Sequence, residues 1–270
     1  MFWRWLMLLP FAHGLSVAHA APAGATASFC ERSSPPHTVA LIELYTSEGC
    51  NSCPPADRWL STLSSRFGPE RLIPLSLHVD YWDYIGWRDP FAQAQFSERQ
   101  RRLARISGSG TIYTPEVFVG MRELRAWRDA AAFERRLQEI NSKPAGADIM
   151  LSMRTADKRS LNAEARFALL PASMARAELK GVLVLYEDKL VSDVRRGENR
   201  GVTLAHDHVV RYWSAQFPLR AEAGTQILRQ PLQLEEEWNR SKLGLAAFVQ
   251  DARTGEVLQA VSLPACLPAA

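Results

Sequence analysis

The chain is poor in the residues that build metal and nucleic-acid sites. Only four cysteines and six histidines occur in 270 residues. No second Cys-x-x-Cys or nearby histidine pair accompanies Cys50-Asn51-Ser52-Cys53, so the four ligands that zinc normally needs are not supplied. Met-rich and His-rich stretches are also missing, which speaks against a carrier of soft Cu(I), although two thiolates leave that reading open. The 32 basic and 29 acidic residues are interspersed and leave a formal charge of +3, with no concentrated basic patch of the kind nucleic-acid binding relies on. Gly108-Ser109-Gly110-Thr111 lacks the lysine and spacing of a phosphate loop, and no cofactor site is visible. Past residue 20 no apolar run reaches the roughly 20 residues of a spanning helix. Nothing repeats at a fixed period.

What is present is a hydrophobic run, Leu41 to Tyr45, leading into Cys50-Asn51-Ser52-Cys53-Pro54-Pro55. This reads as a strand running into a turn that opens a helix. A thiolate at a helix N-terminus is stabilised by the free N–H groups and partial positive charge there. Cys50 is then the attacking sulfur, and Cys53, about one turn on, resolves a mixed disulfide. The bland alternatives are a structural disulfide, which would close too small a loop to stabilise much, or part of a metal site.

Residues 1–20 carry Arg4, an apolar run from Trp5 to Phe11 and a small-x-small end, Ala18-His19-Ala20. That is the pattern of a cleaved signal peptide, so the mature chain is expected in the periplasm or secreted, with no membrane span left after cleavage. Export drives thiols to disulfides. Of the three pairings four cysteines allow, Cys30–Cys266 with Cys50–Cys53 leaves the redox pair intact. The long-range bridge would stabilise by up to about 5 kcal/mol. The competing reading is two free or intermolecular thiols.

Residues 21–37 form an N-terminal segment. From 38 to 143 strands and helices alternate, which predicts an α/β domain: strand 39–45, helix 54–67, strand 72–79, helix 91–106, hairpin strands 113–119 and 122–126, helix 129–140. After Lys143-Pro144-Ala145-Gly146, a linker, residues 147–264 change to period two. Runs at 147–154, 161–170, 177–187, 202–215, 226–234, 243–251 and 257–263 predict an all-β, sandwich-like domain, with the 202–215 run able to contain a turn.

The order of the first half, with Cys-x-x-Cys after its first strand, resembles the thioredoxin arrangement. That resemblance implies a cis peptide at Pro115, beside the thiols, with the flanking backbone, Thr114 included, pairing with substrate. Without it, Thr114-Pro115 would be an ordinary trans strand edge. The resemblance also offers Glu43, an acid in an apolar strand, as the buried proton acceptor for Cys53, although its spacing to Cys50 differs by about one residue. The bland reading is a paired or edge-exposed Glu43.

The segment from His78 to Pro90 packs four large aromatics, three carboxylates, a histidine and an arginine into thirteen residues. It is expected at the strand edge that faces the thiols. Tyr81 and Trp82 then belong to an aromatic wall that holds substrate, with His78 and Asp80 on one face as ionisable candidates. The competing reading is a loop that packs its own aromatics as a satellite core.

Taken together, the segments Glu43–Asp57, His78–Tyr84 and Tyr113-Thr114-Pro115 resemble the domain-of-unknown-function 1223 family, secreted bacterial proteins with a thioredoxin-like fold and no established activity. The likeness continues through Arg196-Gly197-Glu198-Asn199-Arg200-Gly201 and His208-Val209-Val210-Arg211. Relative to that family, Asn51-Ser52 replaces an expected Ser-Ser. Alone, Arg196 to Gly201 is a charged, glycine-bracketed turn. The resemblance moves it toward a role, in which Glu198 or Arg200 reaches across to the charges of the 80–89 loop. His206-Asp207-His208 invites a metal reading, but two histidines on one strand face complete no ligand set.

The leading function is thus an exported thiol–disulfide oxidoreductase, with Cys50 as nucleophile, Cys53 as resolving thiol and Pro115 as substrate guide. Its partners would be protein or small-molecule thiols and disulfides, together with an unidentified redox partner. Two other classes stay open: a binding module whose Cys50–Cys53 disulfide is permanent, and a Cu(I) metallochaperone.

Overall fold

The computed structural model describes residues 1–2, 28–173 and 178–267. The expected signal peptide lies almost wholly outside the described residues. In chain order the elements are β1 (Phe29–Ser33), β2 (Ala40–Thr46), α1 (Pro54–Arg66), β3 (Leu72–His78), a 3-10 helix (Asp80–Ile85), α2 (Ala94–Ile106), β4 (Glu116–Val119), β5 (Arg122–Glu123), α3 (Ala130–Asn141), β6 (Ala147–Thr155), β7 (Ser160–Leu169), β8 (Leu179–Glu187), β9 (Leu190–Asp193), β10 (Thr203–His206), β11 (Val209–Trp213), β12 (Phe217–Pro218), β13 (Thr225–Gln233), β14 (Leu243–Asp251) and β15 (Val257–Leu263). The molecule is mostly β-sheet.

Local chemistry explains the helices. Pro54 and Pro55 open α1 in the first turn, where a missing N–H costs little, and Ala56, Leu60 and Leu63 repeat at helical spacing on its buried side. Asp129 caps α3 by accepting from the N–H groups of Ala131 and Ala132, at 2.9 and 3.1 Å. Phe96, Gln100 and Leu103 do the burying on α2.

A nine-stranded sheet, in the order β15-β14-β8-β11-β3-β2-β4-β5 with β12 beside β8, is the spine. β2 and β3 are parallel, while β4 joins β2 antiparallel. The sheet runs straight through the sequence boundary expected at the 143–147 linker, because β11 pairs parallel with β3 at Val209↔Ser76 and antiparallel with β8. The run at 202–215 is broken at Asp207-His208, where His208 takes a φ of 59°, and its two halves go to different sheets: β10 pairs with β9 and β11 joins the spine.

Alternation decides which layer each strand faces. Ala40, Ile42 and Leu44 of β2 pack under α1 and α3. Leu41 and Tyr45 turn to the opposite face with Phe96 and Leu103 of α2. Further along, Val182 and Val184 of β8 and Ala246 and Phe248 of β14 share that α2 core, whereas Leu183, Leu185, Leu245 and Ala247 face a second sheet, β1-β6-β7-β13. β8 and β14 are covered on both faces, which is why their sequences are continuously apolar rather than alternating. Gly181 admits the second sheet closely, since a Cβ there would lie 2.9 Å from the Phe167 ring.

β1 was not foreseen in residues 21–37. It pairs with β6 as an edge strand, and the disulfide Cys30–Cys266 ties it to the chain beyond β15, as the pairing argument expected. Among the described residues no helix is long and apolar enough to cross a membrane.

Candidate functional site

β2 ends at Thr46, and the chain turns through Ser47-Glu48-Gly49 into Cys50. Cys50 and Cys53 form a disulfide with Cα atoms 5.5 Å apart, and Cys53 is the N-cap of α1. The two residues are 1% and 0% exposed. Opposite them the Thr114–Pro115 peptide is cis, as the resemblance implied. The Thr114 carbonyl oxygen lies 3.7 Å from Cys50 Sγ and 3.4 Å from Ser52 Oγ, and Ser52 Oγ is itself 3.2 Å from Cys50 Sγ. Trp82 supports this arrangement by donating its indole N–H to Thr114 Oγ1 at 2.7 Å. Tyr81 packs toward the α2 core, and burial pushes its phenol up to about 12.

Three candidates turn elsewhere. Glu43 is buried on the α2 face, where Arg99 holds both carboxylate oxygens at 2.7 Å and Tyr45 donates its hydroxyl at 2.8 Å. α1, which starts at Cys53, packs on the other face of β2. Asp80 accepts from Ser97 Oγ of α2 at 2.5 Å. His78 does not share a face with it: its Nδ1 is 2.7 Å from Asp89 Oδ2, fully buried.

His78 instead belongs to a buried polar cluster beside the first turn of α1. Its ring meets those of His206 and Phe91 edge-on, at 5.0 and 5.2 Å. Glu48 joins the pieces: its carboxylate accepts from Trp87 Nε1 (2.8 Å) and Ser192 Oγ (3.1 Å) and faces His206 Nε2 at 3.1 Å. Its N–H donates to Asp89 Oδ2 at 2.8 Å. Asp57, one turn after Cys53 on the same helix face, is 6% exposed and its Oδ1 has no hydrogen-bond partner. Burial raises the Asp57 carboxyl, and the nearby His206 and His78 only partly oppose this. Burial alone would disfavour charged His78, but Asp89 outweighs it and raises the imidazole. Asp89 is lowered, because the charge and hydrogen bond of His78 overcome its own desolvation.

The β9–β10 hairpin closes the site from the second half of the chain. Asn199, buried, donates its amide to the carbonyls of Glu48 (2.8 Å) and Cys50 (2.9 Å). Glu198 Oε2 accepts from the Asn51 N–H at 3.0 Å. The loop does reach the 80–89 segment, but through apolar contact: Gly197 has a φ of 76°, and a Cβ there would lie 3.0 Å from Ile85 and 3.4 Å from Trp87. The ion pairs expected for Glu198 and Arg200 with that segment are not formed. Nε2 of His208 lies 2.9 Å from Ser64 and its Nδ1 3.1 Å from Asp188, while His206 turns to Glu48, so the two histidines diverge. No group of three or more His, Cys, Asp or Glu is placed to hold a metal among the described residues.

Asp57 could have been found in the sequence, since Cys53 plus four is the next position on the same helix face. Glu48, Asn199 and His206 carry no comparable local signal.

A buried Cys-x-x-Cys disulfide facing a cis-proline peptide, roofed by a hairpin from an otherwise all-β half, defines the class. The chain belongs to the family described as "Protein of unknown function (DUF1223)", whose pattern matches residues 41–250. No curated protein matches it in sequence. Its fold is similar to the crystal structure of protein AGR_C_4864 from Agrobacterium tumefaciens, with 22% identity, a TM-score of 0.63, and coverage of 86% of this chain and 96% of that one. It is also similar to HBP35 of Porphyromonas gingivalis, with 15% identity, a TM-score of 0.64, and coverage of 86% and 76%. Two disulfides fit an exported protein.

Proposed function

We propose that the protein is an exported thiol–disulfide oxidoreductase in which residues 38–143 form a thioredoxin-like unit and residues 147–264 a sandwich-like β-domain that extends its sheet. The observation that carries this reading is the Cys50–Cys53 disulfide at the mouth of α1, facing the carbonyl of the cis Thr114–Pro115 peptide. In the reduced protein the Cys50 thiolate attacks one sulfur of a substrate disulfide. A Cys50–substrate bond forms and the other substrate sulfur leaves as a thiolate. Cys53 gives its proton to Asp57 and attacks Cys50 Sγ, which restores the Cys50–Cys53 bond and releases the second substrate thiolate. The substrate gains two electrons from the protein dithiol, and its two thiolates take up one proton from Asp57 and one from solvent, which had received the Cys50 proton; the reverse sequence oxidises a dithiol.

The local groups suit these steps. The Ser52 hydroxyl, 3.2 Å from Cys50 Sγ, is placed to donate to the thiolate. Asp57 takes the role that sequence reasoning gave to Glu43, because it lies one turn after Cys53 with a buried oxygen that has no partner, and burial raises its carboxyl.

A second reading is favoured by one observation, the near-complete burial of both cysteines: a permanent disulfide in a binding module. One experiment separates them. The protein is equilibrated across glutathione redox buffers, its thiols are trapped with a mass-tagged alkylator, and each cysteine is mapped by peptide mass. Interconversion of Cys50 and Cys53 between roughly −120 and −270 mV, with Cys30 and Cys266 staying oxidised, is the expected result. Both pairs remaining locked over that range overturns the oxidoreductase reading in favour of the binding module.

A further inference from the structure

Beside the covered thiols lies a cleft of about 690 Å³ lined by Ile85, Arg195, Arg196, Gly197, Glu198 and Arg200. The three arginines are exposed, and none has an ion-pair partner among the described residues. The single acid of the lining, Glu198, accepts from the N–H of Asn51, the residue next to Cys50. Three arginines thus line this one cleft without an ion-pair partner among the described residues, and planar guanidinium matches carboxylate by paired hydrogen bonds. The loop that carries them is not slack: Gly201 N–H donates to Val194 O at 2.8 Å, Val202 N–H to Asn199 O at 3.0 Å, and Gly197 seats against Ile85 and Trp87. Tyr84, 83% exposed, stands next to Ile85 at the rim.

We infer that this cleft binds the carboxylates of an acidic peptide thiol or disulfide, and that Glu198 is an internal stand-in for one of them. The assignment rests on the exchange reading for what happens next at Cys50, but not for binding itself. A substrate carboxylate held by Arg196 and Arg200 competes with Glu198 for the Asn51 N–H. Releasing Glu198 loosens the same loop through which Asn199 grips the Cys50 carbonyl, and so uncovers Cys50, a residue that is 1% exposed. The cleft volume is within the roughly 300–1,000 Å³ of small-molecule sites, so an acidic tripeptide fits, and a protein substrate would insert an acidic segment that flanks its cysteine.

The test uses the wild-type protein in its oxidised state, so that no exchange accompanies binding. S-methylglutathione, which has carboxylates but no free thiol, is titrated by calorimetry beside its diethyl ester, which has lost them. Saturable binding of the acid and none of the ester is expected. Arg196→Ala and Arg200→Ala should each weaken it about 3- to 10-fold, as loss of a partly screened charge-assisted contact does, and Glu198→Gln should tighten it. Equal binding of acid and ester, no binding, or arginine variants that bind as wild type overturns the inference. An acidic hexapeptide that contains one cysteine, supplied as its disulfide-linked dimer, and free glutathione disulfide, compared as exchange substrates of the reduced protein against neutral hydroxyethyl disulfide, separate protein from small-molecule sources. Exchange with the neutral disulfide but no preference for either acidic one refutes the substrate class and leaves the oxidoreductase standing. Binding of S-methylglutathione without exchange of any disulfide keeps the anion site and refutes the oxidoreductase.

Discussion

Glu43 and Asp57 are both buried acids of the same α/β half, one on each face of β2, and their surroundings are opposites. Glu43 has Arg99 on both oxygens and the Tyr45 hydroxyl besides. Arg99 is in turn held over the rings of Trp213 and Phe248, at 4.6 and 5.6 Å from their centroids. Asp57 keeps an oxygen with no partner, and its neighbours of opposite charge do not outweigh its desolvation. A buried carboxylate with both oxygens held ties together the elements that hold it, so Glu43 fastens the α2 face to the sheet. Asp57, one turn after Cys53 with an oxygen left unpartnered, is the acid that the exchange reading uses. Burial alone therefore does not separate the two acids; the missing partner does.

The comparison breaks most visibly at Arg99. Arg99→Ala strands the Glu43 carboxylate in an apolar core and removes the cation packed on Trp213 and Phe248, and should cost about 3–5 kcal/mol in urea unfolding. The thiol–disulfide midpoint of the variant, measured while it remains folded, should stay at the wild-type value. A midpoint that moves with Arg99 would place Glu43 in the redox chemistry after all.

Asp57→Asn is the reciprocal change and should have the reciprocal result. The amide keeps the shape and cannot ionise, so folding stability at neutral pH should hold or rise. Attack of Cys53 on a Cys50 mixed disulfide should slow about 100-fold, the lower end of general-base contributions. The pH–rate profile is the decisive readout: the wild-type rate should carry an inflection from a raised carboxyl that the variant lacks. A uniform slowing with an unchanged profile would reduce Asp57 to packing.

Much of this was legible in the sequence, for reasons tied to local pattern. The strand before Cys50, the prolines opening α1 and the amphipathic α2 all act within a few residues, and the cis peptide at Pro115 followed from the resemblance that those elements produced. The face of Glu43 was not legible. In β2 both faces are apolar, Ala40, Ile42 and Leu44 on one and Leu41 and Tyr45 on the other, so period two assigns Glu43 and Tyr45 to the same side without saying which helix covers it. The partners of Glu48 and Cys50 were illegible for another reason. His206 and Asn199 reach them from the second half of the chain, on a hairpin beside β11, and it is the β11–β3 pairing that brings that half alongside the Cys-x-x-Cys turn. Arg196 to Gly201 was recognisable as a segment of interest, but its target, the backbone of the Cys-x-x-Cys turn, depends on that pairing.

The smallest effect sharpens the comparison with a third acid. Glu116 follows Pro115 and sits on the same α2 face as Glu43, yet its surroundings lie between the other two: Gln100 Nε2 donates to one oxygen at 2.6 Å, while the other oxygen is buried without a partner. Burial pushes its carboxyl up to about 7 from an ordinary 4.5, with the Gln100 hydrogen bond only partly opposing. The sign of the consequence follows from proton counting. Between those two values the folded state holds a proton that the unfolded state has already released, so stability falls as pH rises through this window and levels off above about 7. Glu116→Gln has no proton to lose. Its stability should be flat from pH 5 to 8 where this group governs the slope, and at pH 8 it should exceed wild type by about 1–2 kcal/mol, discounted for partial screening. Urea denaturation at pH 5 and pH 8 checks both statements. Equal slopes in the two proteins would mean that Gln100 alone satisfies Glu116, which would move it from the side of Asp57 to the side of Glu43.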